Sequence, residues 1–197
     1  MVIGMLRAAL RARRVQAIRA LLSWRVQATF PTLRCDPAAI WDYPFRCAGD
    51  IEMGVHVTVL SRCEIIFYPT SPRSAVRGSL ALGDHCIVST GVNLRAAGGR
   101  IELGRSSCLA QHVVVVAANH LPSFRHGHVR GAWDESRTGV IIGENVWVGA
   151  GSVLLPGTNI GDHSIIAAGS VVNGVVPPRE IWGGVPARRI KDVVVDE

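Results

Sequence analysis

A six-residue repeat of aliphatic residues constrains this chain more than any other feature of its sequence. Every sixth position from residue 142 to residue 172 is aliphatic: Ile142, Val148, Leu154, Ile160, Ile166 and Val172. A second series, offset by four residues, holds small or β-branched side chains from Val146 to Val176. Because a period of six does not match the 3.6 residues of an α-helical turn, the pattern excludes a long helix here.

The same phase returns upstream in shorter and less regular stretches. It passes through three sets of positions: Leu82, Val88 and Leu94; Leu103, Leu109 and Val115; and, more faintly, Ile51, Val57 and Cys63. Each hexapeptide is a short strand plus a turn, and three of them make one coil of a triangular prism. Inward aliphatic side chains then stack on neighbouring coils about 4.8 Å away. The sequence therefore predicts an all-β solenoid, a parallel β-helix, over residues 50–180.

The repeats at 82–120 and 140–176, with the tail from Ile181 to Lys191, resemble the hexapeptide-repeat acyltransferases. A His-bearing loop, then IGENVWVG at 142–149, then GVPAR at 184–188 follow in the order typical of one branch. That branch contains the galactoside, maltose and xenobiotic-type acetyltransferases and the O-acetyltransferases of exopolysaccharide biosynthesis. The resemblance implies a left-handed β-helix, a homotrimer with active sites between subunits, and acyl transfer from coenzyme A.

A long break in the repeat, residues 121–139, separates two regular stretches. Long excursions from a regular scaffold are more often functional than decorative. His120 precedes this loop, where the resembled enzymes hold their catalytic histidine. Imidazole titrates near neutrality, so it can take the proton of a hydroxyl and then protonate a leaving thiolate. We expect His120 to be the general base, oriented by a carboxylate or carbonyl, with Asp134 and Glu135 as candidates.

The resemblance assigns the remaining site residues by position. Ala150 matches the residue whose N–H faces the thioester carbonyl, although the fold alone also requires small residues at coil corners. Cofactor-binding positions fall on Trp147, Ala168, Asn173, Arg188 and Lys191, the two cations facing the phosphates of coenzyme A, and Arg189 is a further candidate. Acceptor-binding candidates are Asn93, Asn119, His126, His128, Trp133 and Glu135.

Residues 1–34 hold seven arginines and no acidic residue, whereas the remaining chain is nearly charge-balanced. Apolar residues at roughly helical spacing predict a basic amphipathic helical extension. Two interpretations stay open: docking on a membrane surface, or packing on the domain or on a neighbouring subunit. Nucleic acid is not an expected partner, because the chain carries no nucleic-acid motif. At the other end, residues 181–197 are expected to form a cofactor-binding tail.

Five cysteines without a CxxC pair predict neither a disulfide framework nor a zinc cluster, and favour the cytoplasm. We expect transfer of acetyl from acetyl-CoA to a hydroxyl of a saccharide, which a lipid or nucleotide can carry, by direct transfer and without a metal. The alternatives are an antibiotic, xenobiotic or amino-sugar N-acetyltransferase and a non-catalytic scaffold. A γ-class carbonic anhydrase needs three zinc-binding histidines, and beyond His112 and His120 no third has a repeat-consistent spacing.

Overall fold

The computed structural model describes residues 2–43, 50–70, 74–122 and 129–194. One long helix, α1 (Val2–Thr29), precedes a stack of short parallel strands that follow three faces of a prism. The first face holds eight strands: β1 (Arg34–Cys35), β4 (Thr58–Val59), β7 (Ile87–Val88), β10 (Cys108–Leu109), β15 (Trp147–Val148), β18 (Ile165–Ile166), β21 (Glu180–Gly184) and β22 (Ala187–Asp192).

The other two faces hold six strands each, and the chain visits the faces in turn. The second face consists of β2 (Ile40–Asp42), β5 (Glu64–Tyr68), β8 (Asn93–Ala97), β11 (Val114–Val116), β16 (Val153–Leu154) and β19 (Val171–Val172). The third face consists of β3 (Ile51–Met53), β6 (Ser79–Leu82), β9 (Arg100–Leu103), β14 (Val140–Ile142), β17 (Thr158–Ile160) and β20 (Val175–Val176).

Both series of the repeat point into the prism. All six aliphatic residues from Ile142 to Val172 are at most 2% exposed. The second series is buried as well, from Val146 through Ser152, Thr158, Ser164 and Ser170 to Val176. Equivalent residues lie in register between coils, as in the column Leu103, Ile142, Ile160. Each coil therefore buries its apolar side chains against its neighbours.

The solenoid begins earlier than the predicted residue 50. β1 pairs in parallel with β4, and β2 with β5, so a complete first coil starts at Arg34. Its inward positions are filled by Leu33, Ala39, Trp41 and Tyr43, which are all buried. Cys35 lies in register with Val59 and Trp41 with Ile65, so a cysteine and a tryptophan replace two aliphatic residues of the repeat and hide it in the sequence. The predicted boundary at 181 also falls inside β21, which still continues the first face.

Among the α1 side chains that the structure describes, from residue 9 onward, the buried ones lie near the C-terminal end of the helix. Leu22 and Val26 are the buried side chains between residues 9 and 29 of α1. The predicted separation of apolar and charged faces is not found, because Arg11 and Arg14 lie on the same side as Leu10. Among the described residues, no helix combines the length and hydropathy needed to cross a bilayer.

A matched pair of substitutions in β14 tests the alternation of inward and outward side chains. Ile142 is 1% exposed and Ile141 is 47% exposed. Ile142→Ala should lower the free energy of unfolding by about 2–5 kcal/mol, because it leaves a cavity between coils. Ile141→Ala should cost less than about 1 kcal/mol. Urea unfolding followed by far-UV circular dichroism measures both, and equal losses would contradict the register.

Candidate active site

His120 lies at the base of a β-hairpin that leaves the corner between the second and third faces. The hairpin is formed by β12 (Asn119–Pro122) and β13 (Arg130–Asp134), which pair antiparallel. It replaces the simple turn between β11 and β14, so the predicted excursion at 121–139 is anchored by two strands. His120 pairs with Trp133 across the hairpin, and their ring centroids are 4.7 Å apart.

A backbone carbonyl orients the half-buried imidazole of His120. Its Nδ1 lies 3.1 Å from the carbonyl oxygen of Gly131. A carbonyl oxygen can only accept, so a neutral imidazole donates from Nδ1 and leaves the lone pair on Nε2. This tautomer suits a base that takes a proton at Nε2.

The two acidic candidates for this orienting role are used elsewhere. Asp134 accepts hydrogen bonds from the backbone N–H and the hydroxyl of Ser136, and these bonds hold its pKa below the ordinary value. Glu135 accepts from the hydroxyl of Ser74 at 2.9 Å and from the N–H of Ala75 at 2.8 Å. The prediction that either carboxylate orients His120 is therefore wrong. Glu135 instead connects its own segment to the loop that contains Ser74 and Ala75.

Glu135 and Arg137 together fix the C-terminal side of the hairpin, and we call segment 135–137 the hairpin base. Arg137 donates from its guanidinium to the carbonyl of Asn173, on a later coil. Glu135 ties the same segment to an earlier coil through Ser74. The hairpin is thus held from both directions along the prism, which limits where His120 can move.

Trp133 rests on the corner of the preceding coil at Gly98. A Cβ atom at Gly98 would lie 2.9 Å from Cε3 of Trp133 and 3.1 Å from Cβ of Ala118. Gly98 also has a φ of +70°, which side-chain-bearing residues rarely adopt. The tryptophan predicted for the acceptor site therefore packs between this corner and the ring of His120.

A hollow of about 150 Å³ lies beside the hairpin. It brings together two predicted site residues, Asn119 and Asn173, and its lining is completed by Asp134, Arg137, Leu155 and Pro156. Asn173 was assigned to the cofactor by resemblance. The structure places it instead on the corner that carries His120, away from the other cofactor candidates.

Trp147, Ala150 and Ala168 form a separate group on and beside the first face. Trp147 is 55% exposed on β15. Ala150 lies at the corner between the first and second faces, and Ala168 lies at the same corner one coil later. Their stacking is direct, because the N–H of Gly169 donates to the carbonyl of Ala150 at 2.8 Å.

Two backbone donors are free along this corner. The N–H groups of Ala150 and Ala168 donate to no acceptor within the described ranges. Unpaired backbone donors normally find a partner in water or a ligand. The corner also stays narrow, since a Cβ at Gly149 would lie 2.5 Å from the nitrogen of Ala168. We name this strip of small residues, Gly149 to Gly151 and Ala167 to Gly169, the alanine corner.

The C-terminal tail turns back as β22, antiparallel to β21, at the end of the first face. Arg189 is neutralised there by Glu180 at 2.9 Å and Asp192 at 2.7 Å. Arg188 and Lys191 are exposed and form no ion pair with any residue that the structure describes. Of the three predicted cations, two therefore keep their full charge for a ligand.

A polar cluster on the second face was not predicted as a whole. Asn93 donates to the carboxylate of Glu64 at 2.6 Å, and Arg95 donates to the same oxygen at 2.9 Å. The Oδ1 atom of Asn93 is buried without a partner within the described structure. Asn93 was expected from the sequence, but Glu64 and Arg95 were missed because the contact joins residues 29 positions apart. The register of the hexapeptides, in which Glu64 falls opposite Asn93, is the signal that could have found it.

The site residues thus fall into two groups at different corners of one protomer. His120, Asn119, Trp133 and Asn173 belong to the corner between the second and third faces, and Ala150 and Ala168 to the next corner. One face of about six residues separates them, which is roughly 15–20 Å of extended chain. His126 and His128, predicted for the acceptor, lie outside the described residues. Within the described ranges, no three metal-binding side chains come together.

Comparison with known proteins points to one family. Residues 139–174 match the family model described as bacterial transferase hexapeptide (six repeats). Over 122 residues the chain is 34% identical to an Escherichia coli protein named as a lipopolysaccharide biosynthesis O-acetyl transferase, WbbJ, covering 58% of this chain and 61% of that protein. A second E. coli protein, WcaF, named as a colanic acid biosynthesis acetyltransferase, is 29% identical over 92% of this chain and 91% of its own length.

The chain spans 44% to 61% of the length of five relatives that it matches at 33% identity or better. Among solved structures, AntD, an N-acyltransferase from Bacillus cereus in complex with dTDP and 3-hydroxybutyryl-CoA, has a TM-score of 0.65 at 22% identity. The match covers 82% of this chain and 80% of AntD. This likeness concerns the fold. It confirms the predicted class, an all-β solenoid wound as a left-handed parallel β-helix.

The hairpin base offers a direct test of how the hairpin is held. Glu135→Ala removes the acceptor for Ser74 and Ala75, so amide hydrogen exchange in β12 and β13 should become several-fold faster. Glu135→Gln keeps an acceptor oxygen and should largely preserve the protection. Glu144→Ala, which removes a different exposed carboxylate paired with Arg105, is the matched control and should leave the hairpin unchanged. Unaltered exchange in Glu135→Ala would show that this tie does not hold the hairpin.

Proposed function

The chain belongs to the hexapeptide-repeat transferases, and on that premise we propose that it is an acetyl-CoA-dependent O-acetyltransferase acting on a saccharide. The observation that carries the proposal is the state of His120, whose Nδ1 is held by the Gly131 carbonyl while Nε2 is left as the base. The names of the relatives, a lipopolysaccharide biosynthesis O-acetyl transferase and a colanic acid biosynthesis acetyltransferase, support acetyl as the group and a saccharide as the acceptor.

The proposed reaction is a direct transfer. Nε2 of His120 takes the proton of the acceptor hydroxyl, and the hydroxyl oxygen attacks the thioester carbonyl carbon. The free N–H of Ala150 donates a hydrogen bond to the developing oxyanion. The carbon–sulfur bond then breaks, and the proton on His120 passes to the thiolate to give coenzyme A and the acetyl ester. No acyl-enzyme is needed.

Coenzyme A is proposed to lie along the alanine corner. The pantetheine arm would run past Trp147 and Ala168, whose unpaired N–H can hydrogen-bond one of its amides. The phosphates would meet Arg188 and Lys191, the two cations of β22 without acidic partners. Arg189 is not included, because Glu180 and Asp192 already occupy its guanidinium.

A homotrimer would complete the active site. His120 and the alanine corner lie on different corners of one protomer, so neither can serve the other within a single chain. In the proposed trimer, with the prisms side by side, the His120 corner of one subunit would face the alanine corner of the next. Asn119 and Trp133, beside His120, would then contact the acceptor.

A cytoplasmic location fits this chemistry. The four described cysteines, Cys35, Cys63, Cys86 and Cys108, are free thiols. Burial raises the pKa of the Cys86 thiol to about 11, which keeps it protonated and unreactive at neutral pH. Free thiols are typical of a reducing compartment, where acetyl-CoA is also available.

The decisive test compares two histidines. His120→Asn should lower acceptor-dependent release of coenzyme A from acetyl-CoA by about two to four orders of magnitude. His163→Asn, at an exposed turn, is the matched control and should stay near wild type.

The acceptor panel contains sugars, nucleotide sugars, amino sugars and chloramphenicol, and mass spectrometry of the product identifies the acetylated oxygen or nitrogen. Equal activity of the two variants would remove His120 as the base. If wild type binds no coenzyme A, the scaffold alternative replaces the enzyme.

The tail makes a separate prediction about the cosubstrate. Arg188→Ala or Lys191→Ala should raise KM for acetyl-CoA about tenfold or more, because a charge-assisted bond to phosphate is lost. The variant that has lost the 3′-phosphate contact should discriminate much less against acetyl-dephospho-CoA, which lacks that phosphate. Arg189→Ala is the control and should change KM little. Equal effects of all three variants would contradict a specific role for Arg188 and Lys191.

A further inference from the structure

Most of the described side chains of helix α1 are exposed. Its 28 residues correspond to about 42 Å, and burial against the first coil is confined to Leu22 and Val26 among the side chains from residue 9 onward. Every residue from 9 to 21 is exposed. The buried side chains of this helix lie in its last two turns, and the exposed side chains of residues 9–21 can contact a partner.

The charged residues of this helix are all basic. Residues 1–34 contain seven arginines and no acid, while the rest of the chain has 14 basic and 15 acidic residues. Arg11, Arg14 and Arg19 form no ion pair within the described ranges. The positive charge of the protein is therefore concentrated on an extension and is not a general property of its surface. Such a segment attracts an anionic surface.

Large apolar side chains share the helix surface with these arginines. Leu10, Ile18 and Leu21 are 58%, 45% and 45% exposed. At about 100° per residue they lie on the same side as Arg11 and Arg14. The opposite side carries Ala9, Ala12, Gln16 and Ala20, with Arg13 and Arg19 at its two edges. Trp24, 67% exposed, adds an aromatic ring near the point where the helix meets the solenoid.

A surface that combines arginines with large apolar side chains is better suited to a lipid interface than to water or to a dissolved polyanion. The long stem of arginine can lie along apolar neighbours while its guanidinium reaches a phosphate. Leucine, isoleucine and tryptophan gain by entering the boundary between headgroups and acyl chains. A nucleic acid would use the arginines and leave the apolar side chains in water. A second copy of α1 would set arginine against arginine.

From these observations we propose that α1 docks the protein on a membrane surface that contains anionic phospholipids. Arg11 and Arg14 would contact lipid phosphates, and Leu10, Ile18 and Leu21 would enter the interface. The helix would then lie along the bilayer without crossing it. The proposal is independent of the enzymatic activity, and its test reads binding directly.

Flotation of the full chain with vesicles tests the proposal. Wild type should float with phosphatidylcholine vesicles that contain phosphatidylglycerol, should float little with phosphatidylcholine alone, and should bind less at high salt. Arg11→Glu with Arg14→Glu should weaken binding about tenfold or more. The matched control is Arg62→Glu with Arg179→Glu, which changes net charge equally at two exposed arginines of the solenoid, and it should bind like wild type. Leu10→Ser with Leu21→Ser should also weaken binding.

Three results would overturn the proposal. Absence of wild-type flotation with anionic vesicles would do so, as would equal losses in the helix and control variants. Unchanged flotation of the serine variant would remove the apolar contribution and contradict docking at the interface. Circular dichroism checks that each variant is folded. Sedimentation shows whether α1 joins subunits instead: a lower oligomer mass in the arginine or serine variants, together with no vesicle binding, would assign the helix to a subunit contact.

Discussion

Contact between equivalent inward side chains on successive coils is the interaction on which the rest of this structure depends. Columns such as Leu103, Ile142 and Ile160 hold neighbouring coils in register. Because the coil from Trp147 to Ile165 is 18 residues long, the same register also places Ala168 on Ala150, so that both free N–H groups lie at one corner. A shift by one residue would turn the aliphatic side chains outward and destroy the corner at the same time. Core and proposed binding surface are therefore set by a single repeat.

Because the interior of the prism is filled, we expect reactive side chains in the segments that depart from the repeat. Among the described residues, its interior is filled by buried side chains, most of them aliphatic. The hairpin that carries His120 is the main departure among the described residues, and three contacts hold it: Trp133 on Gly98, Glu135 on Ser74 and Arg137 on Asn173. A regular scaffold supplies rigidity, and an irregular insertion supplies the reactive group. This division resembles that of other repeat architectures, where insertions collect on a functional face.

The sequence predicted well whatever the repeat determines. The inward series, the stacking of Ala168 on Ala150 and the excursion after His120 all follow from counting in sixes. The first coil was missed because Cys35 and Trp41 take the inward positions that Val59 and Ile65 hold on the next coil. Side-chain contacts were not predicted for another reason. The contacts of Glu135 with Ser74 and of Glu64 with Asn93 join residues far apart in sequence, and their geometry depends on the loops. Segregation of charge on α1 was wrongly expected because arginines share the apolar side of that helix.

The C-terminal hairpin has a consequence for how such molecules associate. A stack of parallel strands ends in a row of unpaired backbone groups, which could accept a strand from another molecule. β22 covers that row on the first face by pairing antiparallel with β21, and its direction and exposed charges make it a poor template for a further coil. The tail is thus also a cap. Deleting β22 in order to remove Arg188 and Lys191 would expose β21 as a new sheet edge, and we expect such molecules to associate end to end into fibres.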